Sequence, residues 1–393
     1  MDKIKIRDQN PDIIKGIGIL LVIIYHLVYR AKNGTMDQLI RESIWLYMPL
    51  YFLLSGYYFR LRDESIGKQI GRRLKKLLVS VLAACFIVLL IGGIYCLIVH
   101  DYSMFDWGRD ALFTFLRPEF STKLFPDWGD VGLLFWNLSQ VWFIWTMVWS
   151  YVFFIPLASY VLGHIKREIV AIVVLLGVQV PLYLWCPPLS WSLNLVPVYM
   201  VIMLIGKMLS EYHIIEWLMT LWPILLFVIA LACFTAHFVL FQWAGTDWVY
   251  AGKIGGLVGG TLETLSGWEV LIFPLQTLIG GFAFFALAEL LSHIRFLARA
   301  LAWVGRHTIT FLMYHAFFSM FMTDILNTYF KIGPNWYLEK LTTDIIVKSW
   351  IVTLVCIAGC TCMSFLHDKI FGVRKARWMT PQEMENKAEQ AHE

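Results

Sequence analysis

The sequence predicts an all-α polytopic membrane fold, with about ten transmembrane helices and both termini cytoplasmic. Three observations carry that prediction. First, 59% of the 393 residues are hydrophobic and only 15% are charged, with a mean hydropathy of +0.66; a soluble domain carries roughly a quarter charged residues. Second, the apolar residues cluster in long runs rather than alternating. In lipid, such runs satisfy their backbone groups internally as helix. Third, basic residues divide unequally between alternate connecting segments, 21 against 9, and the richer side is expected inside.

The ten runs are about 11–29, 43–59, 77–99, 137–162, 168–186, 193–209, 216–241, 268–291, 307–330 and 344–366. They place one membrane domain over residues 1–370 and a polar cytoplasmic tail over 371–393. No cleavage site follows the first run, so Met1 is expected to begin the mature chain. All seven cysteines lie in or beside apolar runs. That suggests no disulfide framework and favours helix packing over a metal site. No basic patch suggests nucleic acid, and the expected surroundings are the lipid bilayer. Two long outer loops stand out. Residues 100–136 carry Trp107 and many other aromatics, which suit either a sugar ring or an interfacial aromatic belt. Residues 242–267 contain GKIGGLVGG, which lacks the signature of a phosphate loop.

The first run, DIIKGIGILLVIIYH over 12–26, carries two ionisable groups. At 100° per residue, the eleven steps from Lys15 to His26 end about 20° past three full turns, so both share one face, ~16 Å apart along the axis. Leaving either in lipid is costly, so that face is expected to meet protein or a wet cavity. Gly16 and Gly18 allow a neighbouring helix to approach. Two plainer roles stay open: Lys15 reaching up to the headgroups, and His26 making a packing hydrogen bond. Histidine is the usual general base near neutral pH, but a base alone names no reaction.

PDIIKGIGILLVIIYH resembles the opening of the membrane acyltransferase 3 family, especially its fucose-4-O-acetylase-like sugar O-acetyltransferase branch. There a basic residue precedes a histidine by the Lys15–His26 spacing. YMPLYFLLSGYYFR (47–60) resembles the branch's second helix, with Tyr47 where a second histidine often stands. GRRLKKLL (71–78) resembles its basic cytoplasmic segment, with Arg73 and Lys76 in place of two arginines. QVWFIW (140–145) and WVGRHTITFLMYH (303–315) resemble later segments, the latter keeping Gly305 and His315.

The resemblance implies transfer of an acyl group, commonly acetyl, from cytoplasmic acyl-CoA to a hydroxyl of an envelope sugar, glycolipid or polysaccharide precursor. The location it implies is a bacterial inner membrane, as a multi-pass protein. Acetyl-CoA would be a donor substrate; no permanently bound cofactor and no metal are expected. His26 would be the catalytic base. Lys15, Arg72, Arg73 and Lys76 would hold the donor phosphates, although topogenic charge also explains the last three. Asp12, Tyr47, Ser55, Trp142 and His315 would support the site; Asp12 as a helix cap and Ser55 as interhelical glue are ordinary alternatives. His237 and Glu289 have weaker claims. The competing function is a transporter or flippase for a glycolipid or small metabolite, with His26 and His315 relaying protons. A non-catalytic membrane partner of a glycan assembly complex is a third.

Overall fold

The computed structural model describes residues 9–28, 47–99, 103–116, 142–186, 189–244, 268–330 and 343–371. The glycine-rich loop, most of the first outer loop and the polar tail lie outside those residues, and so do the side chains of His26, Tyr47 and Trp142. Among the described residues every regular element is helical. Seven helices among the described residues are long and apolar enough to cross a membrane.

In chain order, α1 spans Asn10–Val28, α2 Tyr47–Tyr57, α3 Ile66–Val99, α4 Met104–Leu116, α5 Trp142–Val161 and α6 Ile165–Trp185. After a 3₁₀ segment over Ser190–Leu195 come α7 Val196–Glu211, α8 Ile214–Met219, α9 Pro223–Ala244, α10 Trp268–Ser292, α11 Arg295–Arg306, α12 Thr308–Phe330 and α13 Thr343–Phe371. Pro11 sits in the first turn of α1, where a missing N–H costs nothing, and Asp12 there complements the helix dipole. Pro156, Pro181 and Pro274 lie inside helices, which a bundle tolerates because neighbouring groups re-satisfy the freed carbonyls.

Two crossings fix the arrangement. Gly16 of α1 and Gly305 of α11 face each other's backbones: a Cβ on Gly16 would collide with the Leu301 carbonyl, and one on Gly305 with the Asp12 carbonyl. Gly56 of α2 and Gly206 of α7 do the same, against the carbonyls of Met203 and Leu53. Only residues without a side chain permit such close backbones. Around the second crossing, Phe52 and Tyr199 are fully buried with ring centroids 4.1 Å apart.

α4 and α11 were not foreseen as separate elements. α4 falls in the first outer loop, where Trp107 does not stand open for a ligand; its indole N–H donates to the Leu89 carbonyl of α3 at 2.9 Å. α11 falls in what reads as a basic connection. Its buried residues, Ala298, Leu301, Ala302 and Gly305, recur at helical spacing and lie on α1, while Arg295, Phe296 and Arg299 face out. Cys356 and Cys360 are buried, their thiols 3.6 and 3.8 Å from the carbonyls of His315 and Phe311. They pack α13 onto α12.

Candidate functional site

At the end of the bundle where α1, α3 and α12 begin and α13 ends, the helices enclose a cavity of about 980 Å³. α1 contributes Lys15, and α3 contributes Arg73 and Lys76. Tyr151 of α5 completes that side. Opposite, the α11–α12 junction supplies Trp303, Arg306 and His307, and α13 supplies Phe365, Asp368 and Lys369. Among the described residues the lining thus holds five Lys or Arg side chains and one carboxylate. So strong a cationic excess in a partly enclosed space concentrates anions.

Lys15 and Arg73 are held differently. Lys15 is partly exposed and lies 3.4 Å from the carboxylate of Asp12, which is fully buried. The same turn is fixed from α2 by the Tyr51 hydroxyl, which donates to the Lys15 carbonyl at 3.0 Å. Asp12 therefore sits behind the site and does not line it. The Arg73 guanidinium lies over two rings, 4.7 Å from the centroid of Phe59 and 5.1 Å from that of Tyr151. Cation–π contacts of this kind favour a flat, oriented guanidinium. Arg72, one residue earlier, is absent from the cavity lining and pairs with Glu64. Sequence spacing grouped the two arginines; helix geometry separates them by 100°.

His307, which motif reading passed over, ties the far side together. Its Nδ1 is 2.8 Å from the Trp303 carbonyl, and its Nε2 is 3.0 Å from both carboxylate oxygens of Asp368. With both ring nitrogens facing acceptors, His307 serves as a strut between the start of α12 and the end of α13 rather than as an open base. The Trp303 ring lies 4.4 Å from that of His307 and 5.0 Å from that of Phe365.

His315 is fully buried farther along α12, with Nδ1 2.7 Å from the Leu312 carbonyl and 3.1 Å from that of Phe311. It does not line the cavity. α1 and α12 both lead away from the cavity. Along them His26 stands ~16 Å beyond Lys15, and His315 ~12 Å beyond His307. Ser55 is half-buried on α2, away from the lining. The structure thus brings together Lys15, Arg73 and Lys76, adds Arg306, His307, Asp368 and Lys369, and leaves Arg72, Ser55 and His315 outside. The amphipathic spacing of 295–306 was the available sign of the added residues on α11. Nothing local announces Asp368, whose partner is 61 residues away.

The sequence profile of a family described as an acyltransferase domain matches residues 8–368. No curated protein and no solved structure gives a significant match.

Proposed function

The chain belongs to this acyltransferase family, and from that premise we propose that it is an integral-membrane O-acetyltransferase of the fucose-4-O-acetylase-like branch. In this reading about ten helices cross a bacterial inner membrane, with both termini and the cationic cavity on the cytoplasmic side. Acetyl-CoA is the donor. The acceptor is a hydroxyl of an envelope or lipid-linked sugar. The observation that carries the reading is the convergence of Lys15, Arg73 and Lys76 with Arg306 and Lys369 on one cavity. A donor with several phosphate charges requires such an excess of cations, and the cavity opens at the start of the helix that carries His26.

The chemistry assigned to His26 is general-base catalysis. Its imidazole takes the proton from the acceptor hydroxyl as that oxygen attacks the thioester carbonyl. The tetrahedral intermediate then breaks its C–S bond, the acyl group stays on the sugar oxygen, and the coenzyme A thiolate takes a proton from the imidazolium. The donor's flexible arm spans the ~16 Å from Lys15 to His26, so phosphates and thioester occupy the two ends of one polar seam.

The test supplies labelled acetyl-CoA to inside-out vesicles containing the full chain. Label is expected on glycan, and His26→Ala at equal protein level is expected to lower transfer roughly 10²–10⁴-fold. Full transfer by His26→Ala removes the histidine from catalysis. Uptake of an unmodified solute without labelled glycan favours a transporter.

A further inference from the structure

The two sides of the cavity differ in chemistry, and the difference orients whatever occupies it. Lys15, Arg73 and Lys76 stand together on α1 and α3, with the buried carboxylate of Asp12 3.4 Å from Lys15 behind the lining. The opposite side carries two cations, Arg306 and Lys369, but adds two aromatic rings, Trp303 and Phe365, with centroids 5.0 Å apart and planes inclined by 35°. Phe365 lines the cavity and is 60% exposed. Beside them stands Asp368, 32% exposed. Its two oxygens meet His307, and a carboxylate offers about four lone-pair positions, which leaves capacity for another donor. A phosphate group avoids a carboxylate. A flat heteroaromatic ring bearing an amino group gains from the stack and from the carboxylate together.

We propose that this aromatic side is a purine subsite: the base of a nucleotide-bearing donor lies against Phe365 and Trp303, with its exocyclic amine toward Asp368 and its phosphates toward the cations of α1 and α3. The proposal rests on the acyl-CoA reading for the identity of the donor, not for the existence of the subsite. It makes Trp303 and Phe365 specificity determinants. They discriminate an adenine-bearing thioester from an acyl group on a shorter phosphopantetheine arm. Arg306 and Lys369 line the same side of the cavity and suit a further phosphate on the ribose.

The experiment compares the purified full chain with Trp303→Leu and Phe365→Leu. The second variant alters an exposed ring and guards against misfolding by the first. Two quantities are measured: the ratio of kcat/KM for acetyl-CoA to that for acetyl-4′-phosphopantetheine, and equilibrium binding of adenosine 3′,5′-bisphosphate. Stacking on an aromatic side chain is lost by truncation at a cost that corresponds to roughly 5- to 100-fold. Both variants are therefore expected to reduce the ratio and the bisphosphate affinity by about that factor. Wild-type protein that binds no adenosine bisphosphate, or variants that leave the ratio and the affinity unchanged, overturn the subsite even if acetyl transfer proceeds. Bisphosphate binding that weakens in both variants, without acetyl transfer from either thioester by the wild type, upholds the subsite and overturns the donor reading instead.

Discussion

The α1–α11 and α2–α7 crossings use the same packing device for different ends. In each, a glycine on one helix meets a backbone carbonyl of the other, and the partner glycine does so in return. The α2–α7 crossing is sealed among large rings: Phe52 and Tyr199 fill its flank, and Tyr199 meets Phe273 of α10 edge-on at 6.1 Å. The α1–α11 crossing instead carries cavity groups at its edges. Lys15 is adjacent to Gly16 on α1, and Arg306 and His307 follow Gly305 directly. Close backbone contact is thus structural in one place. In the other it also sets the spacing between charged side chains on separate helices.

The strongest way to break this comparison is to give both crossings the same injury. Gly305→Ala and Gly206→Ala each force a Cβ into a backbone carbonyl. Overpacking of this kind costs about 1–3 kcal/mol, or more where backbone must move. Both variants are expected to lower the thermal unfolding temperature in detergent. Only Gly305→Ala is expected to raise the KM for acetyl-CoA in the surviving folded protein, by about tenfold or more, because displacement of α11 carries Arg306 and His307 away from Lys15. An equal rise in Gly206→Ala means that the two crossings do not divide the work in this way.

Lys15→Met sharpens the same point by removing a single cavity charge. In the proposed donor site it removes one charge-assisted contact to a phosphate, with an expected loss of roughly 1.5–3 kcal/mol, or ~10- to 100-fold in donor affinity. The effect is expected to shrink as salt screens the cavity mouth. Coenzyme A binding by Lys15→Met that matches wild type at low ionic strength removes Lys15 from the donor site.

How much of this was legible in the sequence depended on whether the information was local. The membrane class and the helical character of the apolar runs follow from their length and from the 3.6-residue period. The small-residue stripe of α11 was equally local, but three arginines in twelve residues disguised it as a connection. The His307–Asp368 contact joins helices 61 residues apart, and no period predicts that. The burial of His315 against its own helix carbonyls depends on how α13 covers α12. One motif therefore contained both His315, which lies outside the cavity lining, and His307, which lines it and which the motif reading did not single out.

The smallest expected effects come from the adjacent arginines, Arg72 and Arg73, which the sequence treats alike. Arg72 pairs with Glu64, and its side chain is 37% exposed. Exposed pairs contribute about 0–1 kcal/mol, and Arg72 does not reach the cavity. Arg72→Gln is therefore expected to leave the donor KM within about twofold of wild type, since a partly exposed pair outside the cavity lining changes little. Arg73 is stacked over Phe59 and Tyr151, so its guanidinium presents a fixed fork to the cavity. Arg73→Lys keeps the charge but loses the planar stack, which is worth about 0.5–2 kcal/mol, and loses bidentate geometry toward phosphate. A rise in donor KM of roughly 3- to 30-fold is expected, the factor to which that energy corresponds. Because Arg73→Lys leaves net charge unchanged, steady-state kinetics on the two variants separates orientation from simple attraction. If Arg73→Lys behaves as wild type while Arg72→Gln impairs donor use, the cationic side is a diffuse field and the aromatic cradle beneath Arg73 is irrelevant to binding.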